Sequence, residues 1–335
     1  MRSLIADGHG GVLLADSAEL SILPNEVLVR PIYTGVCGTD LEIVDGLIDP
    51  SFVIYPIVFG HEWCGRVTKV GSNVDSIAVG ARVVAEGIIP CGICFECVDG
   101  NTNRCTTYDE VGFTRPGAAA EQIAVRADLV HPIADSVSNE SACLIEPAAV
   151  VTQGLMKVQP KKGSKVLIIG DGTIALIAAK LIHTWQPSGV HMLGLKEGQT
   201  ALAKEAGVDL FSTEPTSEKY DLIVDASGAS SRISEAVRQL VRGGRLLLLG
   251  FTGANVVTEI SIDNLINGDL SMIASFSYSR RAWSESVELM NSGKLDLTFL
   301  VTHRFPLEKY QEALDALRHA PAPRGKIVFE IGTEK

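Results

Sequence analysis

Two sets of residues in this chain could hold a metal. Cys91, Cys94, Cys97 and Cys105 fall inside one stretch, PCGICFECVDGNTNRC, spanning residues 90–105. The spacing C-x2-C-x2-C-x7-C lets several sulfurs converge on one centre, and Gly92, Gly100 and Asn101 allow the tight turns this needs. Four thiolates are the donor set of a tetrahedral structural zinc site, and metal binding offsets the cost of gathering thiolates by deprotonating them. An iron–sulfur cluster uses four cysteines too, and disulfides are the plainer alternative. A closed set of four thiolates leaves no open position, so it staples a loop and does no chemistry. The second set is Cys37 in GVCGTDLE, His61 and Glu62 in FGHEWCG, and Glu146 in IEPAAV. These are the ligand types of an open zinc site, which takes three protein ligands and keeps a place for water or substrate. Each alone has a bland reading: a cysteine after a strand is usually core, and a His-Glu pair is usually surface. Neighbours on a regular strand point to opposite faces. If His61 and Glu62 both bind, the backbone must turn there; otherwise Glu62 stands behind the ligands, and Glu146 or water completes the set.

A third pattern reads as a dinucleotide site. Gly170-Asp171-Gly172-Thr173-Ile174-Ala175 is G-x-G-x-x-A, with a strand-like run, KVLIIG, before it and a helix-like run, TIALIAAKLIHTW, after it. A second strand-like run arrives about 20 residues on, as the fingerprint requires. Gly170 permits the turn, Gly172 lets the backbone approach a pyrophosphate, and Thr173 and Ile174 open the helix whose N-terminus faces it. An ordinary strand–turn–helix corner is the alternative. At the end of the second strand an acid would bond the ribose hydroxyl of NAD. This chain has Gly194-Leu195-Lys196 there. With no acid and a cation at Lys196, NADP is favoured over NAD, unless Lys196 is only a solvated surface residue. Glu197 follows directly and would spoil the argument if the register slipped.

The rest of the chain must position these groups. Over 335 residues it is 46% hydrophobic and 21% charged, which is enough for a large core and two domains. The net charge of −11 with no Lys/Arg run argues against nucleic acid or an acidic membrane as partner. The N-terminus lacks a signal peptide's apolar core and cleavage site, and no run approaches the roughly 20 apolar residues that span a bilayer. A cytoplasmic location follows as an expectation, and there thiols stay reduced and favour metal. The first 150 residues hold short β-branched runs, EVLVRPIY, WCGRVTKVG, ARVVAE and EQIAVRADLV, expected as a β-rich domain. After Pro160 the texture becomes strand–helix alternation. KVLIIG, VHMLGL, YDLIVDAS and RLLLLGF are strands, with helices at TIALIAAKLIHTW, QTALAKEAGV and SRISEAVRQLV between them. That pattern predicts a doubly wound parallel sheet. The tail holds helical WSESVELMNSG and EKYQEALDALRH and ends in KIVFEI, a strand expected to return to the first domain.

Taken in order, GVCGTD, GHEWCGRVTKVGSNVDSIAVGARV, the four-cysteine loop, PGAAAEQIAV, the EP of IEPAAV and GDGTIA resemble the medium-chain, zinc-dependent alcohol and polyol dehydrogenases over essentially the whole chain. The resemblance implies an α/β fold with a GroES-like catalytic domain at 1–150, a Rossmann cofactor domain at 151–285, and a return to the catalytic domain at 286–335. It implies that Cys37, His61 and Glu62 hold the catalytic zinc with Glu146 close by, and that Cys91, Cys94, Cys97 and Cys105 hold the structural one, two zinc ions per subunit. It also implies a homodimer or homotetramer. The glutamate after the zinc histidine and the EP glutamate look like the polyol and threonine dehydrogenase branch; VGFTRPGAAAE looks, more weakly, like aminocyclitol dehydrogenases. Gly194-Leu195-Lys196 is similar to the Gly-Ser-Arg of NADP-dependent members. The implied reaction is oxidation of a secondary hydroxyl to a ketone, or the reverse, by hydride transfer with NAD(P), with Thr39 passing on the proton. The competing expectations are a non-catalytic, zinc-stapled NADPH sensor and a quinone-reductase-like enzyme without catalytic zinc. Three departures stand out. Glu42 replaces a relay histidine of many relatives, which leaves Thr39 as the relay. Gly80-Ala81-Arg82 replaces the usual G-D-R. Asp171 is an acid at a fingerprint position that tolerates many residues, and it is read as neutral.

Overall fold

The computed structural model describes residues 1–253 and 255–332. The chain divides into two units. One comprises Met1–Glu146, Ser279–Ala320 and the chain from Lys326; the other comprises Pro147–Tyr278 and Pro321–Gly325.

The first unit is built on the long strand Glu26–Val36, whose run of Val, Leu, Ile and Tyr is buried at almost every position. It pairs antiparallel with Glu62–Val70 on one side and with Lys326–Glu330 on the other. The full order is Val130–Pro132, Arg82–Ala85, Glu62–Val70, Glu26–Val36, Lys326–Glu330 and Val301–Pro306, with Ile123–Arg126 also on Glu26–Val36. The last strand therefore does return to the first half of the chain. The register sets Gly35 opposite Glu62, and Val36 opposite Ile327. One apolar core joins Leu4, Val36, Ile43, Phe59 and Phe329; another joins Val27, Trp63, Val67, Val83 and Ile123.

The second unit is a six-stranded parallel sheet. Its order is Leu210–Ser212, Gly189–Leu193, Lys165–Ile169, Tyr220–Asp225, Leu240–Leu248, Ser271–Ala274. The chain runs outward one way from Lys165–Ile169, then crosses back to continue on the other side. Such a reversal opens a crevice at the carboxyl ends of the strands, where ligands bind in open parallel sheets. Some boundaries shift from the sequence expectation. The helix expected over 173–185 is α-helical over Thr173–Ile182 and tightens into a 3-10 turn at His183–Trp185. The helix expected over 231–241 covers Ser230–Gln239, and its last expected residues already belong to the strand Leu240–Leu248. No helix among the described residues is long and apolar enough to cross a membrane.

Candidate active site and metal centres

Cys37, His61 and Glu62 offer ligand atoms that all lie within 4.8 Å of one another. Cys37 ends the strand side of a tight entry into the helix Gly38–Val44, and Asp40 organises that entry. The Cys37 backbone N–H donates to Asp40 Oδ2 at 2.8 Å, while the Asp40 N–H donates to the Cys37 carbonyl at 3.1 Å. The other carboxylate oxygen of Asp40 faces His61 Nδ1 at 3.3 Å. With Nδ1 turned to an acid, Nε2 is the nitrogen left for a ligand, the arrangement metal-binding histidines adopt. Burial alone would lower the His61 pKa, but the Asp40 carboxylate and Cys37 outweigh it and hold the imidazole well above its usual range. The backbone turn that His61 and Glu62 require is present. Gly60 sits at φ +95°, and the regular strand starts only at Glu62. Thr39 Oγ1 lies 3.7 Å from Cys37 Sγ.

Glu62 has a second partner. Lys326 Nζ donates to its Oε1 at 2.6 Å, and both side chains are buried. Desolvation would lower the Lys326 pKa, but the Glu62 charge raises it further, so the ammonium form is kept. Gly35 makes room for the pair: a Cβ there would lie 2.3 Å from Glu62 Oε2 and 2.9 Å from Lys326 Cε. Glu146 stands in the first turn of the helix Ile145–Val158 and outside the three-donor group. Partial burial pushes its carboxyl up to about 8, with Glu62 raising it and His61 and Lys326 opposing. Glu110 responds to the same surroundings, pushed up to about 7 by desolvation against the pull of His61. Of the expected residues, then, three converge, Thr39 adjoins them, and Glu146 is coupled through charge without joining the donors.

The four-cysteine loop also converges: the Cys91, Cys94, Cys97 and Cys105 sulfurs all lie within 4.8 Å of one another. Cys91 Sγ and Cys97 Sγ are 3.9 Å apart and unbonded. Zn–S bonds of about 2.3 Å in a tetrahedron put sulfurs about 3.8 Å apart, so the donor set fits zinc. The backbone N–H groups of Ile93 and Cys94 pull the Cys91 thiol down to about 6, while burial pushes Cys97 up to about 12.

In the second unit Gly170 adopts φ +115°, and a Cβ on it would press to 3.2 Å on the Ala226–Ser227 backbone. Gly172 precedes the helix Thr173–Ile182, no side chain caps that helix, and a Cβ on Gly172 would meet open space. Bare amides above an empty cradle fit a pyrophosphate. Ala175 is fully buried, as close packing at the third fingerprint position requires. Gly194 and Lys196 form the turn after the strand Gly189–Leu193; Gly194 is buried and Lys196 exposed.

Three residues of these sites have partners that the sequence reading does not supply. Asp40 was visible as the acid three residues after Cys37, a helix-entry spacing. Lys326 was visible as a charge at the head of the apolar run KIVFEI. Asp171 was visible but taken as neutral.

Residues 23–135 match the family described as "Alcohol dehydrogenase GroES-like domain", and residues 198–329 match the one described as "Zinc-binding dehydrogenase". The chain is 30% identical over 308 residues to D-arabinitol dehydrogenase 1 of Uromyces fabae, covering 88% of this chain and 87% of that protein. It is 28% identical over 333 residues to L-threonine 3-dehydrogenase of Yersinia pestis (strain Pestoides F), covering 95% and 96%. Among solved structures, galactitol-1-phosphate dehydrogenase from Escherichia coli superposes with a TM-score of 0.88 at 27% identity, covering 98% of this chain and 100% of that one. The chain belongs to the zinc-dependent alcohol and polyol dehydrogenase family and is an enzyme of that class, with the GroES-like and Rossmann-like domains its motifs implied.

Proposed function

We propose that the chain oxidises a secondary hydroxyl of a polyol or sugar to a ketone, or runs the reverse reduction, with NAD(P) as hydride partner. The observation that carries this reading is the convergence of Cys37, His61 and Glu62 within 4.8 Å beside Thr39. Cys37 and His61 would hold the catalytic zinc, with Glu62 or Glu146 as the acid. When bound, that ion supplies Lewis-acid polarisation that eases loss of the hydroxyl proton. Asp40 holds His61 in one ring orientation. Thr39 Oγ1, 3.7 Å from Cys37 Sγ, takes the proton onward. Lys326 gives the buried Glu62 carboxylate a cationic partner, so that neither charge stands alone. The four cysteines would bind a second zinc with no role in turnover.

D-arabinitol, galactitol 1-phosphate and threonine, named in the relatives, each carry a secondary hydroxyl, and this supports a linear polyol as substrate class. The aminocyclitol likeness has no counterpart among those three. Lys196 speaks for NADP; Asp171, which bonds to that turn from the fingerprint loop, speaks against it. A homodimer or homotetramer accompanies the reading by family likeness. The sensor and quinone-reductase readings need no open metal site, and the three converged donors weigh against both.

The test is an initial-rate screen of polyols, sugars, cyclitols and simple alcohols against NAD and NADP, run beside a zinc count per chain. A polyol-dependent rate in protein carrying about two zinc ions is expected. Two zinc ions with silence across the panel would sink the substrate class. One zinc ion and no alcohol-dependent rate would return the sensor.

A further inference from the structure

The turn Gly194-Leu195-Lys196 carries no acid of its own, yet the fold brings one to it. Asp171, from the fingerprint loop, accepts two backbone hydrogen bonds on a single carboxylate oxygen. Leu195 N–H donates at 2.8 Å and Lys196 N–H at 3.1 Å. The Asp171 carbonyl is held as well, by Gln199 Nε2 at 2.7 Å. Gly194 is what allows this: a Cβ there would lie 2.9 Å from Asp171 Oδ2 and 2.5 Å from Phe211 Cζ. A fixed negative charge therefore stands on the amides at the end of the second strand of a parallel sheet, where an adenine ribose lies in this topology.

We propose that Asp171 is the residue that discriminates at the adenosine 2′ position, favouring a 2′-hydroxyl over a 2′-phosphate; this rests on the NAD(P) reading above. A 2′-hydroxyl can donate to the carboxylate's second oxygen. A 2′-phosphate cannot donate, meets a like charge, and finds the two amides it would use already bonded. Lys196 does not cancel this. Its side chain is exposed and screened by water and salt, whereas Asp171 is pinned by two N–H donors. The acid that related sheets place at the strand end comes here from the opposite loop.

The test is equilibrium binding of NADH and NADPH, followed by nicotinamide fluorescence, to the full chain and to Asp171→Asn and Lys196→Ala. Asparagine keeps an acceptor for the two amides, and a thermal melt reports whether the loop survives. The parent should bind NADH more tightly than NADPH. Asp171→Asn should shift the ratio toward NADPH by about tenfold, the factor that corresponds to roughly 1.4 kcal/mol, and Lys196→Ala should shift it less than about threefold. A parent that binds NADPH more tightly overturns the proposal. So does an unchanged ratio in Asp171→Asn with both dinucleotides still bound, and that result leaves the dinucleotide site standing. A parent that binds neither overturns the site and the proposal together.

Discussion

Lys326 and Glu62 form an ion pair across the sheet of the first unit, with side chains only 4% and 2% exposed. Their contact closes a sequence separation of 264 residues, through the strand that brings the chain's end back to its beginning. Removing one member of a buried pair strands the other charge, at about 3–5 kcal/mol. Lys326→Met should therefore lower the thermal midpoint sharply. Lys326→Met combined with Glu62→Gln should recover much of the loss, because no bare charge remains. A Lys326→Met protein that melts like the parent would show that the pair does not bear on stability.

Asp40 acts on His61 from behind. Asp40→Asn keeps the side chain's size but removes the charge that faces Nδ1. Partners of this kind typically contribute about 10–100-fold in metal affinity or activity. The expected outcome is a fall in kcat of that order, with a folded protein and a lower zinc affinity in chelator competition. Unchanged kcat and zinc affinity would leave Asp40 as no more than part of the helix entry.

The two metal centres should separate by variant. Cys37→Ser and His61→Ala should abolish turnover, reduce zinc from about two ions to about one, and leave dinucleotide binding intact. Cys94→Ser should also lose one zinc, but its main effect should be on heat resistance, because a closed thiolate site contributes folding energy. A stable but inactive Cys94→Ser protein would contradict the division of labour.

Much of this was legible in the sequence because it depends on local pattern. The buried strand Lys165–Ile169 reads as an apolar run, the glycines beside it read as a turn, and four cysteines within residues 90–105 announce their own convergence. What was missed depends on partners that only the fold supplies. Glu62 was readable as a donor, but nothing near it foretold a lysine from the last strand. The Gly194–Lys196 turn was readable as acid-free, and it is so only along the chain; in space Asp171 fills the place from 24 residues upstream of Leu195. The helix that was expected to reach 241 fails for a related reason. Leu240 is taken into the parallel pairing with Tyr220, and a sheet partner overrides helical spacing.

The fingerprint glycines offer a test in which stability and binding part company. At Gly170, φ +115° is a conformation other residues rarely adopt, and the added Cβ would also press on the Ala226–Ser227 backbone. Gly170→Ala should therefore lose both thermal stability and dinucleotide binding. At Gly172 the backbone is extended and an added Cβ meets nothing within 4 Å. Gly172→Val should cost about 1 kcal/mol or less, since valine is a poorer N-cap than glycine but meets no clash at its Cβ. Its side chain would nonetheless stand where the pyrophosphate must approach the bare amides of the helix Thr173–Ile182, so NADH and NADPH should both bind at least about tenfold more weakly. Dinucleotide titrations beside thermal melts of the two variants decide the matter: a Gly172→Val protein that binds both forms as the parent does would move the pyrophosphate away from this loop.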